Sequence, residues 1–232
     1  MSPAASEYRQ IRFVTPPGAT ELLLVRHGES TVFVPGRTMP RRDGHSDPEL
    51  APEGRDQAER VAARLALEHI DAIYVTPLRR TAQTAAPLAR RLGLTPRVEL
   101  GLREVHLGEW EGGLFRQRVI ERHPLAELMW AEERWDVVPG AEPAELFASR
   151  VREGVERIGA AHPDQRVAVF THGGVIGQIL SHATGATAFA FSQADNGSIS
   201  HLVMQPGRWT VRRYNDTAHL EPIFSVASEP LT

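Results

Sequence analysis

Two apolar runs in this chain end in the same way. Leu22-Leu23-Leu24-Val25 runs into Arg26-His27-Gly28, and Val167-Ala168-Val169-Phe170 runs into Thr171-His172-Gly173-Gly174. A run of four to six apolar residues closed by turn chemistry reads as a strand buried on both faces. A buried strand that stops at an imidazole and a glycine delivers polar chemistry to the edge of a sheet. In open α/β sheets ligands collect at the carboxyl ends of the strands. Two strands that both end in His-Gly therefore predict one pocket holding two imidazoles.

The segments between these runs alternate helix and strand. Residues 21–27 form the first strand, and 31–49 a long loop with Pro35-Gly36, Pro40 and Asp43-Gly44 as turn points. That loop carries Arg37, Arg41 and Arg42. A loop of this length without structure of its own is usually functional or mobile. Pro52 opens a helix to about Glu68, with Ala58, Val61, Ala62 and Leu65 on one face. Ala72–Val75 is a second buried strand. Thr76 and Pro77 then suit the N-cap and first position of a helix ended by Gly93. Leu78, Ala82, Ala85, Ala89 and Leu92 line its inner face, and Pro87 is expected to kink it. A strand is expected near 96–100 and an edge strand near 11–14.

Residues 108–141 hold Trp110, Trp130 and Trp135 and read as helical excursions capping the sheet. A helix follows from Pro143 to about Ala161, with Leu146, Val151, Val155 and Ile158 inward. Helix 175–183 succeeds the second His-bearing strand. A hairpin is expected from 198–205 and 209–213, with Pro206-Gly207 at its turn. This order predicts an α/β fold, a three-layer α/β/α sandwich around a mostly parallel sheet. The 232 residues are read as a single domain, with a leader at 1–19, the cap at 108–141 and a tail at 214–232.

Bulk properties exclude several classes. A net charge of −3 and a pI near 6.4 give no electrostatic reason for nucleic-acid or membrane partners. Without cysteine there is neither disulfide nor thiol chemistry. Met1–Gly18 lacks the apolar core of a secretory signal, and no run approaches the roughly 20 apolar residues needed to span a bilayer. A soluble cytoplasmic protein is expected, and a homodimer is compatible with the sequence. Ten histidines raise the question of a metal, but no ligand spacing such as His-x-x-x-His sits on one element, so no metal or cofactor is expected. Outside His27 and His172 the histidines read as structural or solvated.

Leu24-Val25-Arg26-His27-Gly28-Glu29-Ser30 resembles the signature of the histidine phosphatase superfamily, in its phosphoglycerate-mutase-like branch. Four more segments match that pattern in order: Asp47–Leu50 with Gly54 and Gln57-Ala58; Thr76–Ala85; Leu102-Arg103-Glu104 with Gly108 and Trp110-Glu111-Gly112; and Thr171–Gly174. Together they span roughly residues 21–220. The resemblance implies a phosphomonoesterase acting on small phosphorylated metabolites through a phosphohistidine, without metal. His27 would be the nucleophile, since neutral imidazole attacks without first losing a proton. Arg26, Arg80, His172 and Gly173 would hold the phosphoryl group, guanidinium being suited to it by its bidentate fork. Glu104 would protonate the leaving oxygen and then activate water. Helical spacing leaves Arg79 and Arg80 equivalent; the resemblance selects Arg80. Glu109 and Glu111 compete with Glu104, and the resemblance favours Glu104.

The chain departs from the mutase pattern at several positions. Phe33 stands where mutases have asparagine, Leu107 and Phe115 stand where they keep a tyrosine and a lysine, and Pro143 replaces a serine. The first loop is a few residues longer. Arg37 and Phe33 are the candidates for substrate selectivity, while Arg41 and Arg42 read as solvated. An apolar rim favours hydrolysis. A cofactor-dependent phosphoglycerate mutase is the alternative within the family. A non-catalytic phosphate-binding module is the alternative outside it.

Overall fold

A computed structural model describes residues 10–187 and 189–220. Strand β1 (Thr20–Arg26) is followed by the two-residue strands β2 (Arg41–Arg42) and β3 (His45–Ser46), which form a small hairpin within the long first loop. Then come α1 (Pro52–Leu65), β4 (Ala72–Val75), α2 (Arg79–Leu92) and β5 (Arg97–Val98). Two short helices, α3 (Leu114–Ile120) and α4 (Pro124–Glu132), precede α5 (Ala144–Ala161). The chain continues through β6 (Arg166–Thr171), α6 (Gly173–Thr184), β7 (Ile199–Gln205) and β8 (Arg208–Asp216).

The main sheet has the order β5-β4-β6-β1-β7-β8. Strands β5, β4, β6 and β1 are parallel, while β7 and β8 add an antiparallel hairpin at one edge. Side chains alternate across it. Leu22, Leu24, Val167 and Val169 pack against Phe147, Val151, Val155 and Ile158 of α5 and Ile176, Ile179 and Leu180 of α6. On the opposite face Leu23, Val25, Ala168, Phe170 and Ile73 meet Val61, Ala62 and Leu65 of α1 and Ala85 and Leu88 of α2. Both faces are covered, which explains why the central strands are unbroken apolar runs. The three-layer sandwich is the architecture expected from the alternation of elements.

Register carries the two histidines to one place. Arg26 pairs with Thr171 at the ends of β1 and β6, so His27 and His172 follow one step later at the same sheet edge. The amide of His27 still donates to the Thr171 carbonyl at 3.0 Å.

Residues 108–141 form a layer of their own beyond that edge. Trp110, Ala126 and Val138 are buried there, with Leu114, Phe115 and Val119 of α3 packed around them. A bridge between Leu107 and Ala141 closes the base of the excursion.

Several boundaries differ from expectation. Helix α1 ends at Leu65, and α2 starts at Arg79 with extended Leu78 in the capping position. Thr76 therefore does not cap that helix; its hydroxyl contacts the hydroxyl of Thr81 and the ring of His172 instead. Pro87 lies within α2, and its ring is buried. The 96–100 strand shrinks to β5, because Leu100–Leu102 turns as a 3-10 helix. No strand forms at 11–14. Ile11 is 94 % exposed, Val14 is 76 % exposed, and Phe13 lies under the Arg212 guanidinium rather than on a sheet edge. Residues 214–216, expected in the tail, belong to β8. The leader before residue 10 and the tail beyond 220 lie outside the described residues.

Candidate active site

The backbone that presents His27 is held from three sides. Its carbonyl accepts from the Asn196 side-chain amide at 2.9 Å. The amide of Gly28 donates to Thr84 Oγ1 on α2 at 3.0 Å. Gly28 also meets Gly54 of α1, where a Cβ at Gly28 would stand 2.4 Å from the Gly54 carbonyl oxygen. Only glycine allows the His-Gly turn and the start of α1 to approach this closely.

The ring of His27 has one tautomer available. A carbonyl can only accept, so Nδ1–H donates to the Gly28 carbonyl at 2.8 Å, leaving a lone pair on Nε2. Nε2 accepts from the Arg80 Nε–H at 3.1 Å. Burial, and then the charges of Arg80 and Arg26, push the His27 pKa well below its ordinary value. His27 is therefore neutral at neutral pH.

The His172 ring stands edge-on to it, with centroids 5.2 Å apart. Its Nε2 meets Thr76 Oγ1 at 3.0 Å, and its buried Nδ1 has no partner among the described residues. Burial, followed by Arg80 and His27, holds its pKa far down as well.

Three guanidinium groups line the same cavity, Arg26, Arg80 and Arg116. Arg26 donates to the Ala194 carbonyl and leaves its Nε without a partner, lying against Gly173 at the start of α6. Arg80 donates Nη1 to the Ser46 carbonyl at 2.8 Å. Burial lowers its pKa to about 10, so it keeps its charge. Its neighbour Arg79 turns the other way, onto Asp47 at 3.1 Å and Glu49 at 3.1 Å. The ambiguity between the two arginines is thus resolved by Asp47, which also accepts from the Arg79 backbone amide at 2.7 Å.

Glu104 forms part of the cavity wall. Its carboxyl accepts from the Val105 amide at 2.9 Å and the Gly174 amide at 3.3 Å. Desolvation raises its pKa above the usual carboxylate value, against the lowering effect of those amides, Arg80 and Arg26. Glu111 also borders the cavity, but its oxygens accept from the Ser46 amide and hydroxyl and from the Leu107 amide. Glu109 is exposed. Glu104 lines the cavity together with Arg26 and His27, and burial raises its pKa.

The cavity encloses about 150 Å³, with Leu107, Trp110, Phe115 and Trp135 on its outer wall. Phe33 and Arg37 lie in an adjoining cavity rather than beside His27. Among the described residues no group of three or more His, Cys, Asp or Glu could hold a metal ion. Among them, no helix is long and apolar enough to cross a membrane.

The model of the histidine phosphatase superfamily (branch 1) matches residues 22–217. The chain belongs to this superfamily. This histidine phosphatase is 34 % identical over 206 residues to phosphoglycerate mutase-like protein 4 of Arabidopsis thaliana, covering 87 % of each chain. It is 31 % identical to phosphoserine phosphatase 1 of Hydrogenobacter thermophilus, over 91 % of this chain and 99 % of that one. The native structure of a mycobacterial glucosyl-3-phosphoglycerate phosphatase superposes with a TM-score of 0.69 at 30 % identity, covering 86 % of this chain and all of that one (100 %).

The histidine phosphatase site also contains residues that sequence reasoning passed over. Arg116 reaches back from α3 to donate to Ser30 Oγ at 2.6 Å and to the Thr31 carbonyl at 2.8 Å. Burial and the neighbouring charge of Arg26 lower its pKa. In α3 the sequence pattern marks Phe115, one residue away. Thr76 and Ser46 were missed as the groups that orient His172 and Arg80. Their signal is tertiary, since each touches a residue far away in sequence.

Proposed function

We propose that this histidine phosphatase is a phosphomonoesterase that hydrolyses small phosphorylated metabolites through a phosphohistidine on His27. The observation that carries this reading is the fixed lone pair on His27 Nε2, in a cavity shared with Arg26, Arg80, Arg116 and Glu104. The family and the phosphatase names of its relatives support it.

In the first step Arg80 yields its contact with Nε2 to the incoming phosphoryl oxygens. The Nε2 lone pair attacks phosphorus, an N–P bond forms, and the bond to the ester oxygen breaks. The guanidinium groups and His172 stabilise charge spread over the equatorial oxygens. Glu104 in its acid form, which burial favours, gives its proton to the leaving alkoxide. In the second step the Glu104 carboxylate takes a proton from water, the water oxygen attacks phosphorus, and the N–P electron pair returns to Nε2. Three arginines supply the positive charge, so neither step calls for a metal.

Leu107 and Phe115 offer no polar grip on a phosphoglycerate, which supports hydrolysis over transfer back to the substrate. A panel of p-nitrophenyl phosphate, phosphoserine and 3-phosphoglycerate tests this, read by phosphate release with and without EDTA. Release that survives EDTA, disappears in His27→Ala and passes through an acid-labile phosphoprotein is expected. Unchanged turnover in His27→Ala would overturn the mechanism. Bisphosphate-primed isomerisation of 3-phosphoglycerate outrunning its hydrolysis would make the protein a mutase.

A further inference from the structure

Beside the reaction cavity lies a second, more open one of about 470 Å³. Both are bordered by Met39 and Glu111. The wall of the second comes mainly from the extended first loop, through Phe33, Arg37 and Arg41, with Leu114 of α3 opposite.

The charges in that wall are unbalanced. The guanidinium of Arg37, an exposed residue at the cavity, has no hydrogen bond or ion pair among the described residues. Arg41 is fixed in place: its Nη2 donates to the Glu111 carbonyl at 2.9 Å and lies across Gly112. A Cβ at Gly112, whose φ is +82°, would stand 2.8 Å from that guanidinium nitrogen. Glu111 is the only acid in the wall among the described residues, and its carboxylate already accepts from Ser46 and Leu107. Elsewhere on the molecule Arg79, Arg134, Arg150 and Arg166 each hold a carboxylate. Two guanidinium groups that face one cavity without a free carboxylate make an anion site, and guanidinium binds carboxylate or phosphate oxygens through paired donors.

We infer that this cavity is a second subsite of the active site, which takes the distal anionic end of an elongated phosphomonoester. Phe33, Met39 and Leu114 supply apolar surface for the segment that joins that end to the phosphoryl group. The inference rests on the phosphatase reading and adds a substrate class to it: phosphomonoesters with a second anionic group remote from the scissile bond.

The test is a ladder of ω-phosphooxyalkanoic acids of increasing chain length, each paired with its uncharged carboxamide. In the wild type, at one range of lengths, kcat/KM for the acid exceeds that for the amide at least tenfold, mainly through KM. Arg37→Glu reverses that preference, and Arg37→Ala and Arg41→Ala each weaken it several-fold. All three variants keep kcat/KM for p-nitrophenyl phosphate within about twofold of wild type, which shows that they fold. Equal use of acid and amide at every length by an active wild type would overturn the subsite alone. A preference that persists in Arg37→Glu would do the same. A wild type inactive on p-nitrophenyl phosphate and on the whole ladder would overturn the phosphatase reading, and the subsite with it.

Discussion

Arg80 Nε–H donates to His27 Nε2 across 3.1 Å, so the proposed nucleophile is held by the cation proposed to bind its target. This hydrogen bond fixes the imidazole plane before substrate arrives. It also keeps the ring unprotonated, because a proton on Nε2 would face the guanidinium charge. The same Arg80 donates to the carbonyl of Ser46 at 2.8 Å, which ties it to the β3 strand of the first loop.

Arg80→Lys removes both contacts, since one ammonium cannot reproduce the two directions of the guanidinium fork. A loss of about 10²–10³ in kcat/KM is expected, the scale of losing one preorganised donor at a developing charge. Steady-state kinetics on p-nitrophenyl phosphate measures it. A Lys variant within threefold of wild type would contradict the role given to this side chain.

Glu104→Gln separates leaving groups. An alkyl phosphate needs a proton on its departing oxygen, so its rate falls by about 10²–10⁴. p-Nitrophenolate departs without one, and its phosphorylation step suffers much less. In the wild type, alkyl phosphate turnover declines as pH rises through the raised Glu104 pKa, because the acid form is lost. Rapid-quench measurement of the phosphoenzyme, with both esters across pH, tests this. Equal losses for the two leaving groups would remove Glu104 as the acid.

The buried histidines make stability fall with acid. Both His27 and His172 have folded-state pKa values well below the ordinary value, so the unfolded chain binds protons first. Their full contribution is present above about pH 6.5 and is lost as pH falls below it, with a combined slope of at most about 2.7 kcal/mol per pH unit. Urea denaturation of wild type and His172→Asn between pH 7 and 5 tests the sign. The variant should show the shallower dependence; an equal or steeper one would contradict it.

Gly54 sits where α1 touches the His-Gly turn, and a Cβ there would stand 2.0 Å from the Glu29 carbonyl oxygen. Both contact partners are backbone, so neither can swing away. Gly54→Ala is expected to destabilise the fold by about 1–3 kcal/mol, as overpacking does. It should also lower kcat, because the displaced turn carries His27. Thermal melts together with kinetics read both effects, and an unaltered melting temperature would speak against the close contact.

Much of this site is legible in the sequence because strand ends are local. An apolar run followed by His-Gly announces both the strand and where it stops: β6 ends at Thr171 as that reading places it, and β1 ends at Arg26, one residue short of the expected 27. The choice between Arg79 and Arg80 is not local. Both lie at the start of α2, and it is the carboxylates of Asp47 and Glu49, supplied by another segment, that hold Arg79 outward. Arg116 is harder still. It lies on α3, a seven-residue helix with no buried residue, where apolar periodicity gives no inward face. Ser30, distant in sequence, brings it to the cavity. Thr76 reads as a cap by residue type, yet the extended Leu78 delays the helix and frees that hydroxyl for His172.

The turn before β7 has a consequence for the order of assembly. Asn196 holds the His27 carbonyl, the Gly197 amide donates to the Arg26 carbonyl, and the Ala194 carbonyl receives the Arg26 guanidinium. These anchors form only once residues 194–197 have been added, long after residues 26 and 27 leave the ribosome, and such long-range closures slow folding. A nascent chain stopped near residue 190 would carry every side chain proposed for chemistry and still lack a nucleophile held in position.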